Sequence, residues 1–147
     1  MALLSNILPA YFCCHLIQSE HNPFLFISLL QPEHTMPFFL TNFCKQSEQA
    51  YFSLDLTNEK RASRGLKPLN ANWELSRVAR YKSQDMANNK YFSHTSPTYG
   101  SPFNMIKNFG IKYRSAGENI AYGQRTPAQV VNSWWNSAGH RANMLNA

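Results

Sequence analysis

A chain of 147 residues, 44% hydrophobic and with a formal net charge of +6, has room for one hydrophobic core and one domain of ordinary size. The charge is segregated: residues 1–50 hold Lys45 against Glu20, Glu33 and Glu48, whereas residues 51–147 hold thirteen Lys and Arg against five Asp and Glu. Such a surplus attracts anionic lipid, acidic wall polymers or nucleic acid, but the cations follow no recognition-helix or RNA-binding pattern, which argues against nucleic acid.

In chain order, residues 1–50 read as a leader, a linker or a gene-model artefact, with a poor membrane anchor as the rival reading. The apolar clusters Pro23–Leu30 and Met36–Leu40 are separated by polar residues and proline. No run approaches the ~20 apolar residues that cross a bilayer, so no transmembrane span is expected. No basic residue precedes Lys45, so there is no convincing signal peptide. Cys13, Cys14 and Cys44 all lie here and show no paired spacing suited to a metal.

From residue 51 the local signals agree with one another. The pattern predicts a first helix over Tyr51–Ser63, stopped by Gly65. A second begins after the cap residue Asn72, with Glu74 in its first turn and Leu75, Val78, Ala79 and Met86 on one face. Arg77, Arg80 and Lys82 are expected to face solvent. Residues 91–100 have no period and read as an ordered loop. Ser101-Pro102 opens a short helix that Gly110 ends. Residues 117–123, bounded by glycines, read as a strand. Thr126-Pro127-Ala128-Gln129 is a capping box for a helix bearing Val130, Val131, Trp134 and Trp135. One tryptophan is expected in the core, because neighbours on a helix diverge by about 100°. The order of elements is α+β.

Four blocks then occur in sequence: Asn58 and Arg61 before Gly65-Leu66-Lys67-Pro68-Leu69; Phe92-Ser93-His94; Gly117-Glu118-Asn119-Ile120-Ala121; and Trp134-Trp135-Asn136-Ser137-Ala138-Gly139-His140-Arg141-Ala142-Asn143. Over residues 54–147 the chain resembles the bacterial branch of the CAP superfamily, which includes cysteine-rich secretory, antigen-five-like and pathogenesis-related proteins. The resemblance implies a CAP-type α-β-α sandwich around a small antiparallel sheet, located extracellularly or at the cell wall. It also implies a cleft lined by His94, Glu118 and His140, with Asn119 beside it. Animal and plant relatives add a second glutamate; here Asn136 and Ser137 stand after Trp135, so that four-member set is not reproduced.

Two imidazoles and a carboxylate can hold a divalent cation such as zinc weakly, or can hydrogen-bond around a ligand with no cofactor at all. His94, Glu118 and His140 are the metal candidates, although the His-Glu-x-x-His spacing is absent. Ser93, Thr95, Ser96 and Ser137 lie near the histidines without a nucleophile-elbow context, and residues 51–147 contain no cysteine nucleophile. Asn58 and Asn119 are read as satisfying open backbone groups. Arg61 and Arg141 are read as pairing with carboxylates such as Glu118 or Asp85, or as surface residues. Phe92, Tyr99, Tyr113 and Tyr122 are candidates for an aromatic rim.

Relatives of this kind continue beyond the His140 block into further strands. The partial domain over 51–147 is therefore expected to be truncated at its C-terminus, with an incomplete sheet and the 117–123 strand left without neighbours. The leading function is a secreted binding module of the envelope or extracellular space, holding a wall polymer, lipid or protein partner in the cleft. A metal-dependent hydrolase or protease and a non-functional fragment are the alternatives; catalysis is disfavoured.

Overall fold

The computed structural model describes residues 13–18 and 38–146, with side chains described from residue 48 onward. The order is β1 (Cys13–Gln18), α1 (Phe38–Ala62), α2 (Trp73–Asn88), α3 (Pro102–Asn108), β2 (Ala116–Ala121), α4 (Pro127–Asn136) and α5 (Ala138–Leu145). The apolar cluster Pro23–Leu30 lies outside the described residues, whereas Cys13 and Cys14 fall in β1 and Cys44 in α1.

Helix α1 begins at Phe38, well before the Tyr51 expected from sequence. From Phe38 to Arg64 no proline or glycine interrupts the chain, so nothing local stops a helix there. Its end is as expected. Gly65 takes φ +69° and the amide of Leu66 returns to the carbonyl of Arg61 at 3.1 Å, closing the last turn.

The capping residues of the next elements behave as their chemistry dictates. Asn72, Ser101 and Thr126 each accept a hydrogen bond from the amide three residues on, at 2.9, 3.2 and 3.2 Å, starting α2, α3 and α4. In α2 the buried face comprises Leu75, Val78, Ala79, Lys82, Asp85 and Met86. Lys82 therefore departs from expectation: it stands seven residues after Leu75, on the core side of the helix, and is fully buried.

Helix α5 was not foreseen. Ser137, in an extended conformation, ends α4 and starts α5 without a side-chain cap, so no local signal marks the break.

Strand β2 is not without a neighbour. Its whole length pairs antiparallel with β1, in a register that sets Leu16 opposite Glu118 and His15 opposite Asn119. The partner comes from the segment before residue 50, where proline, polar and apolar residues are mixed and no strand period stands out.

Two apolar clusters flank this two-stranded sheet. One joins α2 to α3 through Leu75, Val78, Met105, Ile106 and Ile111. The other joins the end of β2 to α4 and α5 through Ala121, Val130, Val131, Trp134 and Met144, with Leu56 of α1 against it. The indole of Trp134 is buried and donates to the carbonyl of Ile120 at 3.2 Å, locking α4 onto β2. Among the described residues the architecture is α+β, with helices packed around a small antiparallel sheet.

Candidate functional site

The site is built on β2, on the 91–100 loop and on α5. Glu118 projects from β2 and is almost wholly buried, its side chain 3% exposed, while the ring of His94 above it is 54% exposed. Nδ1 of His94 and Oε1 of Glu118 lie 2.7 Å apart. An ionised carboxylate only accepts, so this contact assigns the proton to Nδ1 and leaves Nε2 of neutral His94 as an acceptor.

The loop that carries His94 is fastened at several points. The buried ammonium of Lys82 donates to the carbonyl of His94 at 2.5 Å and lies 5.5 Å from the ring centre of Tyr91. The carboxylate of Asp85 accepts from Tyr91 and Ser96 on one oxygen, at 2.5 and 2.6 Å. Its other oxygen accepts from Asn89 and Thr98, at 2.7 and 2.6 Å. Ser96 Oγ also accepts from the amides of Thr98 and Tyr99, and Ser96 and Gly100 exchange backbone hydrogen bonds across the turn. The turn needs φ +72° at Gly100, which costs a glycine little.

Electrostatics follow from that wiring. Burial pushes the Asp85 carboxyl up, but the hydrogen bonds from Ser96, Thr98, Tyr91 and Asn89 outweigh it and hold its pKa below the usual value. Burial, with the hydrogen bond to Asp85 second, drives the Tyr91 phenol up to about 12.

His140 enters from α5, half-buried. Burial first, and then the nearby imidazole of His94, hold its pKa below the ordinary histidine value. Asn119 is buried, and its amide donates to the carbonyl of His140 at 3.1 Å and accepts from Asn143 at 2.9 Å. Asn143 also donates to the carbonyl of Glu118 at 3.2 Å. A Cβ at position 117 would lie 3.1–3.2 Å from the side chain of Asn143, which would have to give to admit it. Asn119 thus positions α5 on β2.

A family model described as the cysteine-rich secretory protein family, CAP, matches residues 54–147. The chain belongs to the CAP family.

Its relatives agree. Over 93 residues the CAP domain is 60% identical to the uncharacterized protein YkwD of Bacillus subtilis (strain 168), covering 63% of this chain and 36% of that protein. It is 42% identical over 94 residues to the uncharacterized membrane protein YlbC of the same strain, covering 64% of this chain and 27% of that one. Among solved structures it is similar to an extracellular protein containing a SCP domain from Bacillus anthracis str. Ames. The TM-score is 0.70 at 33% identity, over 76% of this chain and 38% of the other. The chain spans about a third of the length of the curated relatives it matches.

Within this CAP domain, His94 and Glu118 are brought into direct contact and His140 into electrostatic range of His94. Among the described residues, no three His, Cys, Asp or Glu side chains converge on one point as a cation site. The hydroxyl of Ser96 is committed to Asp85, and that of Ser93 accepts from the amide of Thr95 at 3.2 Å.

The two arginines differ from expectation. Arg61 is buried and donates to three carbonyls, of Lys67 at 2.8 Å and of Met144 and Asn146 at 2.7 Å each, binding α1 to the end of α5. Arg141 donates to the carbonyl of Trp135 at 2.7 Å. Both answer the open carbonyls at helix ends and loops, where a guanidinium fork serves as well as it would on a carboxylate. Asn58 does act as read, exchanging both its amide hydrogen bonds with the backbone of Leu69 at 3.0 and 2.8 Å. Of the aromatic rim, Phe92 and Tyr122 stand together, exposed, with ring centres 5.8 Å apart. Tyr99 and Tyr113 instead pack on the α2–α3 core. Sequence reasoning missed Lys82 and Asp85 as supports of the site. The signal was there: both fall at core spacing on α2, and a charge on a core face is a charge with a job.

Proposed function

We propose that this chain carries a ligand-binding CAP module acting outside the cell or at the envelope, and that its ligand is held at His94 and Glu118. The observation that supports this reading is the pairing of an exposed imidazole with a buried carboxylate. Glu118 sets the tautomer and the tilt of the ring, and Nε2 of His94 is presented to solvent as a fixed acceptor. The rings of Phe92 and Tyr122 offer an apolar platform of the kind that sugars and lipids stack on. A wall polymer, with its hydroxyl and amide donors, is the ligand class this combination suits best. The reading requires no cofactor.

The test is cosedimentation of the full chain with insoluble peptidoglycan. Binding without release of soluble fragments, lost in His94→Ala while the circular dichroism is kept, is the expected outcome. Release of fragments by the wild type and not by His94→Ala would establish the hydrolase reading instead. Absence of a cooperative thermal transition would establish an inert fragment.

A further inference from the structure

Away from the His94 cleft, the outward face of α2 gathers cations and aromatic rings into one surface. Trp73, Arg77 and Tyr81 recur at intervals of four residues and all are exposed, Trp73 by 64% and Tyr81 by 47%. Successive steps of four turn through about 400°, so the three form one stripe. The guanidinium of Arg80 lies 5.0 Å from the centre of the Trp73 ring. That of Arg77 lies 5.9 Å from Phe109, and the Tyr81 ring is 5.4 Å from the same phenylalanine. Phe109 carries the surface across to the end of α3, where Lys107, Gly110, Ile111, Lys112 and Tyr113 line a shallow groove. On α2 the carboxylates are Glu74, in the first turn, and Asp85, which is buried in the loop network. Helix α3 has none.

We infer that this face docks the protein peripherally on an anionic phospholipid bilayer. Indole and phenol rings have an apolar body and a polar tip, and they settle at the depth of lipid headgroups. A hydrated polyanion offers such rings no apolar layer to enter, so the rings favour a bilayer over a soluble polymer. Arg77, Arg80, Lys107 and Lys112 supply the complementary charge, each cation near an anionic leaflet strengthening binding several-fold. Among the described residues no helix is long and apolar enough to span a membrane, so contact is made from the surface.

The experiment is sedimentation of the full chain with vesicles of phosphatidylcholine, with and without phosphatidylglycerol. Binding is expected only where phosphatidylglycerol is present. The double variant Arg77→Gln/Lys107→Gln should lower partitioning at least about tenfold. Trp73→Ala, which leaves the net charge unchanged, should lower it as well. Lys60→Gln/Arg64→Gln removes the same charge beside Trp135, where both cations lie within 5.5 Å of that ring, and should lower it by less than about threefold. Equal losses from the two double variants would overturn the proposal, because net charge alone would then account for binding. So would equal binding to both vesicle types, or binding to soluble polyglycerol phosphate with none to vesicles.

Discussion

Nδ1 of His94 stands 2.7 Å from Oε1 of Glu118, although 24 positions separate them in the chain. The carboxylate is buried beneath a ring that faces solvent, so its charge acts on the imidazole at close range, and it also helps to raise the pKa of Tyr91. Glu118→Gln keeps the shape and removes the charge. The two ring tautomers of His94, distinct in nitrogen-15 NMR, should be strongly biased to Nδ1–H in the wild type and mixed in the variant. The thermal midpoint should fall with the loss of one charge-assisted hydrogen bond, about 1.5–3 kcal/mol. An unchanged tautomer would show that the contact does not govern the ring.

Asp85 should prove as important to the site as the residues within it. Its four donors come from the turn that follows α2 and from the 91–100 loop, so Asp85→Asn both removes the charge and leaves hydroxyls competing for a weaker acceptor. The expected cost is about 2–4 kcal/mol in urea denaturation. The local sign is faster hydrogen exchange at the amides of Thr98 and Tyr99, which Ser96 holds. Lost stability without faster exchange there would mean the loop does not depend on Asp85.

Acid should destabilise the fold in two stages. Below about pH 6.5, the ordinary histidine value, the unfolded chain binds a proton that native His140 resists, so stability falls with pH through that window. Below about 3.8 the unfolded carboxyl of residue 85 protonates while native Asp85 stays ionised, and stability falls again. His140→Gln should flatten the first slope in a plot of thermal midpoint against pH and leave the second. A first slope that survives in His140→Gln would assign it elsewhere.

Strand β1 should hold the site strand in place. Alternate residues of an edge strand send their N–H groups to the neighbour, so Leu16→Pro/Ile17→Pro removes one ladder donor whichever residue supplies it. Hydrogen exchange at residues 118 and 119 should then rise at least about tenfold, a cost of the order of a lost hydrogen bond. No change there would mean β2 stands without β1.

The parts of this molecule that could be read in the sequence are those written in local chemistry. Asn72, Ser101-Pro102 and Thr126-Pro127 announced three helices, and the glycine-bounded strand and the His94, Glu118 and His140 blocks announced the family. What escaped was decided at a distance. Nothing near Cys13–Gln18 marks it as a strand, since its reason to be extended is β2, a hundred residues away. By its charge Lys82 reads as a surface residue, whereas its position on α2 puts it inside. Arg61 reads as a partner for a carboxylate or as a surface residue, whereas the folded chain offers it the open carbonyls at the end of α5. The break between α4 and α5 has no cap to reveal it.

Binding of an envelope ligand at His94 and Glu118 is read most directly by an amide chemical-shift titration with a soluble peptidoglycan fragment. Saturable shifts centred on Phe92, His94, Glu118 and Tyr122, absent in His94→Ala, are the predicted result. Shifts that saturate elsewhere, or that persist unchanged in His94→Ala, would contradict it.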